Sequence, residues 1–357
     1  MTTLDTRPAA MDDPEVVAER LLGIVNDGSI CVLASIGHEL GLFETLATLP
    51  PATSVQIADA AGLDERYVRE WLAGVVTAGF VTFVPANSTY QLRSDHVPFL
   101  TGAGPDNLAR MTRLIAVMGQ VAPKIVERFR AGGGLSYDDY PGFHDLMAAD
   151  SGAILDASLI DVTIPLTGVV DRLETGISVA DIGCGEGHAV NLLARAYPAS
   201  TFVGYDFLDE PLVAARAEAA AWGLTNATFE TVDVARLDVV DGFDLVTAFD
   251  AIHDQAHPAK VLANIRRALR PGGTFLMVDF KAESNLEGNL DLPWGTFVYA
   301  ISTLHCMSVS LGQGGDGLGT AWGVQTAERM LREAGFPEVT RKDLEDDLFN
   351  AYFVARV

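Results

Sequence analysis

A glycine-rich turn between an apolar segment and a helix-like segment is the first feature of this sequence that could do chemistry. The stretch reads VADIGCGEGHAV, with Asp181 ahead of Gly183, Gly185 and Gly187. Glycines let a backbone approach a ligand closely, and a helix that begins after such a turn presents free N–H groups. No Gly-Lys-Ser/Thr follows, which excludes a phosphate P-loop. The G-x-G-x-x-G pattern of dinucleotide loops is also absent, because its third glycine would fall at His188.

Two further acids follow at the ends of the next two strand-like segments. Asp206 ends GYD, and Asp233 ends ETVD with Val234 beside it. We interpret Asp206 as a ligand for two ribose hydroxyls and Asp233 as the acceptor for an adenine amine. Asp181 would then receive an α-ammonium group. Such a set would repel a pyrophosphate but suits S-adenosylmethionine, a cationic nucleoside without phosphate. Each acid could instead be a local loop cap.

The segments around these acids alternate between strand-like and helix-like patterns. The strand-like segments are SVADI, TFVGYD, ATFETV, FDLVTAF and TFLMVDF, and EVTRKDL and AYFVARV follow near the end. The alternation predicts an α/β fold, in which a mostly parallel sheet carries helices on both faces. Right-handed crossovers then bring the loops after the strands to one edge, where ligands bind.

The first hundred residues predict a separate, mostly helical domain. Asp13 and Pro14 are typical of a helix start. Two short helices, the second capped by Asp64, precede the strand-like segments VTFV and TYQL, which PANS separates. This is the winged-helix pattern. Residues 54–78 contain four acidic residues and two arginines, a net charge of −2, whereas a DNA-recognition surface is normally basic. We therefore expect a structural or dimer-forming role for this domain.

Composition excludes several classes of function. The chain has 357 residues, of which 49% are hydrophobic, and a formal net charge of −24, which argues against nucleic acid and anionic membrane partners. Its three cysteines are far apart, so neither a disulfide framework nor a zinc site is indicated. The start, MTTLDTRPAAMDDPE, shows no signal-peptide pattern and is expected to be a short mobile tail. The uncharged run at residues 292–315 is too polar for a membrane span. We expect a cytoplasmic protein without a metal site.

The loop, the order of the acids and the LRPGG stretch before the fifth strand resemble the class I S-adenosylmethionine-dependent methyltransferases. The resemblance covers nearly all of residues 178–357. It implies a Rossmann-like sheet of seven strands with the last one antiparallel, S-adenosylmethionine as cofactor and S-adenosylhomocysteine as product. It implies that the Gly183–Gly187 loop and Asp181 hold the methionine part and that Phe207 packs on the ribose or adenine. Phe249, at the end of the fourth strand, should also reach the cofactor.

The fourth strand is followed by His253 and Asp254, a position where an acceptor would enter. Histidine titrates near neutral pH and can remove a proton from a hydroxyl acceptor. The pair resembles that of plant-type small-molecule O-methyltransferases and their actinobacterial relatives, which carry an N-terminal winged-helix domain that dimerises. This implies a homodimer and a base role for His253. The tryptophan that usually follows is Gln255 here, and the orienting carboxylate stays open among Asp254, Asp279 and Glu283.

Two other segments offer candidate acceptor-binding residues. The stretch AGGGLSYDDYPGF contains Tyr137 and Tyr140, with His144 just beyond it, although a solvated interdomain loop is an equal alternative. The uncharged stretch contains Trp294 and His305, which could line a substrate wall or pack in the core. We take Tyr140, His144, Trp294 and His305 as acceptor-binding candidates, because an apolar wall suits a hydrophobic or aromatic acceptor.

These observations predict a winged-helix domain at residues 12–100, a helical connector at 101–170 and a cofactor-binding domain at 171–357. The predicted function is S-adenosylmethionine-dependent methylation of a small, fairly apolar molecule, first of all at a hydroxyl. Methylation of nitrogen, sulfur or carbon remains open, as does a relative that uses the cofactor without methylating. A non-catalytic winged-helix sensor of S-adenosylmethionine is the alternative from another class.

Overall fold

The computed structural model describes residues 13–345 and 347–357. The chain divides into two compact units, of which the first ends at Ala116 and the second begins at Val117. The three-part division predicted from the sequence stays a prediction. The predicted N-terminal tail falls mostly on residues 1–12, which lie outside the described residues.

The first unit is helical with a small hairpin. Its elements are α1 Pro14–Glu39, α2 Leu42–Thr48, α3 Ser54–Ala61, α4 Glu65–Thr77, β1 Val81–Val84, β2 Thr89–Leu92 and α5 Val97–Leu100. The expected caps are present: Asp13 accepts a hydrogen bond from the Glu15 N–H, and Asp64 accepts from Arg66 and Tyr67. The predicted helix, turn, helix and hairpin are confirmed.

The second unit contains a seven-stranded sheet. Its strands are β3 Ser178–Ile182, β4 Thr201–Asp206, β5 Ala227–Thr231, β6 Phe243–Phe249, β7 Leu269–Phe280, β8 Glu338–Lys342 and β9 Asn350–Arg356. They lie in the order β5-β4-β3-β6-β7-β9-β8, and β9 runs antiparallel to both β7 and β8. The predicted seven strands and antiparallel last strand are confirmed. Strand β7 begins earlier than predicted, because LRPGG is part of it.

Helices cover both faces of this sheet. The helices from the unit boundary onward are α6 Ala109–Ala131, which contains the boundary, α7 Phe143–Ser158, α8 Val170–Thr175, α9 His188–Ala196, α10 Asp209–Ala221, α11 Pro258–Ala268, α12 Gly295–Ile301, α13 Met307–Gly312 and α14 Val324–Glu333. Successive strand residues face opposite sides, so Phe275 and Met277 of β7 enter one apolar cluster while Leu276 and Val278 enter the other. Because both faces of the sheet are covered, successive residues of a strand are all buried, which explains the continuous apolar runs in the sequence.

Two single turns of π-helix interrupt this helical layer. One, Leu159–Thr163, follows α7, and the other, Ser302–Cys306, joins α12 to α13. Such turns are rare and are often found at functional sites. In the described ranges, no helix combines the length and the apolar character that crossing a membrane requires.

Candidate active site

The glycine loop lies between the end of β3 and the start of α9. Gly183 and Gly187 have φ values of +69° and +71°, which other residues rarely adopt. A Cβ on Gly183 would lie 2.6 Å from the Ala251 Cβ, and a Cβ on Gly187 would lie 2.4 Å from a Phe229 ring carbon. Around Gly185, by contrast, no heavy atom of the described chain comes within 4 Å of such a Cβ. Two glycines are therefore needed for packing, and the middle one leaves room for a ligand.

A cavity of about 220 Å³ opens beside this loop. Helix α7 contributes several lining residues, and the ends of β6 and β9 contribute others. Of the residues predicted from the sequence, the cavity is lined by Asp181, Gly183, Gly185, Gly187, Phe249 and His144. The structure thus brings together the residues assigned to the methionine part of the cofactor and adds one acceptor-binding candidate.

The first two strand-end acids, the buried Asp181 and the half-buried Asp206, are both hydrogen-bonded. Asp181 is 3% exposed and accepts a hydrogen bond from the Thr247 hydroxyl at 2.6 Å. Burial raises the pKa of Asp181 to about 7, although the Thr247 bond opposes this. Asp206 accepts from the N–H groups of Gly185 at 3.0 Å and Leu208 at 3.0 Å. Burial raises the pKa of Asp206 as well, against these bonds. Its carboxylate is thereby fixed next to the loop.

The third acid, Asp233, and the predicted cofactor residues Val234 and Phe207 are not among the residues that line the cavity. Asp233 accepts from the Ala235 N–H at 3.0 Å and pairs with Arg236 at 3.2 Å, so it forms the local cap that was the alternative interpretation. Its side chain is half exposed and can still meet a ligand. Val234 is buried in the core, and Phe207 is 40% exposed. The adenine assignment stays a prediction.

His253 is buried at the end of β6 and held by a carboxylate. Its Nδ1 lies 2.9 Å from Asp279 Oδ1, which also accepts from the Trp322 indole N–H at 3.1 Å and the Phe280 N–H at 2.8 Å. Burial alone would lower the pKa of His253, but Asp279 and the Cys306 thiol raise it well above its ordinary value. Of the three candidates left open by the sequence, Asp279 is the one that contacts His253.

The other two carboxylates are engaged elsewhere. Glu283 accepts a hydrogen bond from the Gln325 amide. Asp254 accepts a hydrogen bond from the Tyr137 hydroxyl at 2.9 Å. Burial raises the pKa of Asp254 to about 6, while His253 and the Tyr137 bond lower it. Asp254 therefore anchors Tyr137 beside His253.

Five aromatic rings pack against one another, and one of them, Tyr137, is bonded to Asp254. We call the set Tyr137, Tyr140, Phe143, His144 and His305 the aromatic wall. Tyr137 stacks on His144 with ring centres 5.2 Å apart, and His305 stacks on Phe143 at 3.9 Å. The Tyr140 hydroxyl donates to the Leu304 carbonyl at 2.6 Å.

His305 lies in the π-turn after α12 and is 2% exposed. Burial, together with the nearby His253 and His144, lowers the pKa of His305 to about 3, so the ring is neutral. In the described chain its Nε2 is buried without a hydrogen-bond partner. Trp294 lies apart from the wall, with its ring 5.0 Å from that of Phe349.

Sequence reasoning missed one residue that the structure places here. Asp250 lines the cavity directly after β6, with a φ of +49°. The sequence could have pointed to Asp250, because it directly follows Phe249, which was predicted to reach the cofactor. For His188 the sequence left open a contact with the methionine carboxylate or an ordinary place at a helix start, and the structure places it at the start of α9 in the cavity lining. It lies 2.8 Å from Glu218 of α10 and 3.2 Å from Asp156 of α7, so it links two helices around the cavity. The described residues contain no group of three or more His, Cys, Asp or Glu that could hold a metal.

Comparison with known proteins agrees with this geometry. Residues 173–335 match a family described as a methyltransferase domain, and residues 28–102 match an Rv2258c-like winged HTH domain. The chain belongs to the S-adenosylmethionine-dependent methyltransferases with an N-terminal winged helix-turn-helix domain. The predicted family and fold are thereby confirmed.

Individual relatives differ in what they do. Trans-aconitate 2-methyltransferase of Methylobacterium nodulans is 35% identical over 95 residues, which are 27% of this chain and 35% of the relative. The S-adenosyl-L-methionine-dependent Diels-Alderase iccD of Talaromyces variabilis is 27% identical over 206 residues, 54% of this chain and 64% of the relative. The chain thus matches about a third to two thirds of these curated relatives.

Solved structures cover the whole chain at lower identity. Human N-acetylserotonin methyltransferase in complex with S-adenosylmethionine has a TM-score of 0.66 and 17% identity, with 98% of this chain and 99% of that chain covered. The mitomycin 7-O-methyltransferase MmcR has a TM-score of 0.68 and 18% identity, with 96% and 99% covered. At this identity the likeness shows a shared fold.

Proposed function

We propose that this protein transfers the methyl group of S-adenosylmethionine to a hydroxyl of a small aromatic acceptor, with His253 as the base. The observation that carries the proposal is the contact between His253 Nδ1 and Asp279. A carboxylate on Nδ1 fixes the tautomer with its proton there, so the other ring nitrogen, Nε2, is the one that can accept a proton. The same arrangement orients bases in other acyl- and proton-transfer enzymes.

The strand ends fit the cofactor. The open space at Gly185 and the fixed carboxylate of Asp206 lie on the same edge of the sheet as the cavity. When bound, the cofactor supplies a methyl group already activated on a sulfonium. The chain itself has only to bind, to align the acceptor and to remove its proton.

The charge state of His253 has to suit its role as base. Its raised pKa favours the imidazolium in the free protein. We expect a lower pKa in the cofactor complex, because a positive charge nearby disfavours a second one. Activity should therefore rise with pH as the neutral imidazole becomes populated.

The aromatic wall supports a flat, apolar acceptor. Its rings offer stacking surfaces near His253, and aromatic pairs with offset or edge contacts stabilise each other by about 0.5–1.5 kcal/mol. Tyr137 connects the wall to the base, because its hydroxyl is bonded to Asp254. Tyr140, His144 and His305 belong to the wall, whereas Trp294 does not contact it through its ring. We therefore assign the first three to the acceptor.

The first unit supports a dimer as the working form. One face of α1 carries five exposed apolar side chains, whose exposed fractions lie between 42% and 62%: Val17, Leu21, Val25, Val32 and Ile36. Their spacing of four or seven residues places them on one helical face. An exposed apolar face of this length favours a second copy of the chain as its partner.

Calorimetry and turnover test the enzymatic proposal. We expect S-adenosylmethionine to bind and a panel of phenols to contain acceptors that gain a methyl group. His253→Ala should bind the cofactor as the wild type does and lose about 10²- to 10⁴-fold in kcat. Full activity of this variant on the true acceptor would refute the base assignment. Cofactor binding without methylation of any acceptor would instead favour non-methylating chemistry like that of iccD.

The dimer is tested by light scattering after size-exclusion chromatography. Leu21→Glu together with Val25→Glu should convert the dimer to a monomer, because two charges would be buried in the interface. Val213→Glu is the matched control, since Val213 is 61% exposed on α10 of the other unit. A wild-type monomer at all concentrations would refute this part of the proposal.

A further inference from the structure

Two aspartates occupy neighbouring backbone positions, one directly after β6 and the other near the end of β7. In the parallel register Phe249 pairs with Val278, and the Asp250 N–H donates to the Val278 carbonyl at 2.9 Å. The next position along each chain is Asp250, directly after β6, and Asp279, within β7. Neighbouring strands lie about 4.8 Å apart, so the two side chains start from adjacent positions.

Each of these carboxyl groups has one oxygen that is buried without a hydrogen-bond partner in the described chain. They are Asp250 Oδ1 and Asp279 Oδ2. The other oxygen of Asp279 accepts from three donors, His253 among them. Buried acceptors without a partner are rare and costly. One proton between two neighbouring carboxyl groups would give both of these oxygens a partner.

The backbone holds Asp250 in place at a cost. Its φ of +49° is in the left-handed region, which a non-glycine residue occupies at about 1–2 kcal/mol of strain. Such strain persists where surrounding structure imposes it, and it is concentrated at functional sites. Here it carries the side chain of Asp250 past the strand end, where it lines the cavity.

We propose that Asp250 and Asp279 share one proton, and that Asp250 thereby sets the charge that His253 experiences. Asp250 is then a positioning residue, which acts on His253 through Asp279. Its effect on catalysis rests on the proposed function, because it requires His253 to be the base. The shared proton itself does not depend on that assignment.

The electrostatic surroundings agree with this arrangement. Burial and the neighbouring Asp279 raise the pKa of Asp250 to about 7, against a lowering by His253. The other groups that face Asp250 are Asp254 and Asp347, which also raise its pKa, and Tyr352. A negative charge close to Asp250 disfavours the ionisation of its carboxyl group.

The consequence for His253 follows from the charge of the pair. With the shared proton the pair carries one negative charge, and after its loss it carries two. The second negative charge stabilises the imidazolium and keeps His253 protonated to higher pH. Removing the ionisable group at Asp250 should therefore make His253 easier to deprotonate.

The test uses Asp250→Asn, because asparagine tolerates a left-handed backbone and cannot ionise. The protonation of His253 is followed by NMR of the full-length protein, labelled with ¹⁵N-histidine and bound to S-adenosylhomocysteine. We expect the midpoint of the His253 titration to fall by about one pH unit. The acidic limb of the kcat–pH profile should move in the same direction.

The control is Asp238→Asn, which removes one charge from an exposed side chain of the same unit. It should leave the His253 midpoint unchanged. Infrared difference spectra supply an independent measurement: the wild type should show a protonated carboxyl band that titrates near neutral pH and is absent from Asp250→Asn. If Asp250→Asn does not fold, Asp250→Gly fits the same backbone and should give the same shift.

An unchanged His253 midpoint in the folded variant would overturn the proposal. If the Kd of S-adenosylhomocysteine rises more than tenfold while the His253 midpoint stays unchanged, the proposal is also overturned, and Asp250 is assigned to cofactor binding. Neither measurement needs turnover, so both remain decisive if His253→Ala proves fully active and the base assignment fails.

Discussion

Asp279→Asn tests the link between the carboxylate and the base that the proposed reaction requires. The asparagine oxygen can still accept from Phe280, Trp322 and His253, so the packing around this position should survive. What disappears is the negative charge 2.9 Å from His253 Nδ1. An opposite charge at such a distance typically shifts a pKa by about one to three units.

The expected effect follows from this shift. The His253 pKa should fall by about one to three units, so the acidic limb of the kcat–pH profile moves down by that amount. A weaker base also removes protons less effectively, so the plateau of kcat should drop by about tenfold or more. The drop should stay within the 10²- to 10⁴-fold that a positioned base contributes in total.

The assay is a pH series of kcat with saturating cofactor and acceptor, together with calorimetry of cofactor binding. Glu283→Gln is the matched control, because Glu283 was an equal candidate in the sequence but bonds to Gln325 instead of His253. It should keep the wild-type profile. A wild-type profile for Asp279→Asn in a folded protein, or a shifted one for Glu283→Gln, would refute the assigned link.

Three further predictions concern the cofactor edge. Asp206→Ala should weaken S-adenosylmethionine binding by about 10²- to 10⁴-fold in calorimetry, since it removes two charged hydrogen bonds to the ribose, each worth about 1.5–3 kcal/mol. An unchanged Kd would contradict the ribose assignment. Gly187→Ala should lower the free energy of unfolding by more than about 2 kcal/mol in denaturant titration, because its Cβ would lie 2.4 Å from the Phe229 ring. Gly223→Ala is the control: Gly223 has a similar φ but open space around it, so this substitution should cost about 1 kcal/mol. Burial raises the pKa of Asp181 to about 7 in the folded state, above its unfolded value. Ionisation of Asp181 should therefore reduce the stability of the fold as the pH rises from about 4 to 7. In thermal unfolding, Asp181→Asn should lose this part of the pH dependence.

Much of the sheet could be predicted because buried parallel strands leave a strong pattern. The segments SVADI and FDLVTAF coincide with β3 and β6 residue by residue. Helix caps could be predicted equally well, since Asp64 accepts hydrogen bonds from N–H groups only two and three residues later in the chain. Such features depend on neighbours in the chain, which the sequence displays directly.

The contacts between distant segments could not be predicted in the same way. The choice of Asp279 over Glu283 depends on how far β7 extends and on Trp322, 43 residues away, which shares the same oxygen. The bond from Tyr137 to Asp254 joins positions 117 residues apart. Asp250 carries no motif, and its role emerges only from the register of β6 against β7.

Four acidic residues near the ends of the parallel strands are buried enough to disfavour their charged forms, which suits the site to a cation. Burial raises the pKa of Asp181, Asp206, Asp250 and Asp254, and neighbouring carboxylates raise that of several of them further. The folded protein therefore maintains ionisable groups in an environment that disfavours their charge. A ligand with a positive charge relieves this cost, and a ligand with a pyrophosphate increases it. The sequence suggested the same preference from three acids, and the structure adds a physical reason: burial raises the pKa of Asp181 and Asp206, so a positive charge beside them would stabilise their ionised forms.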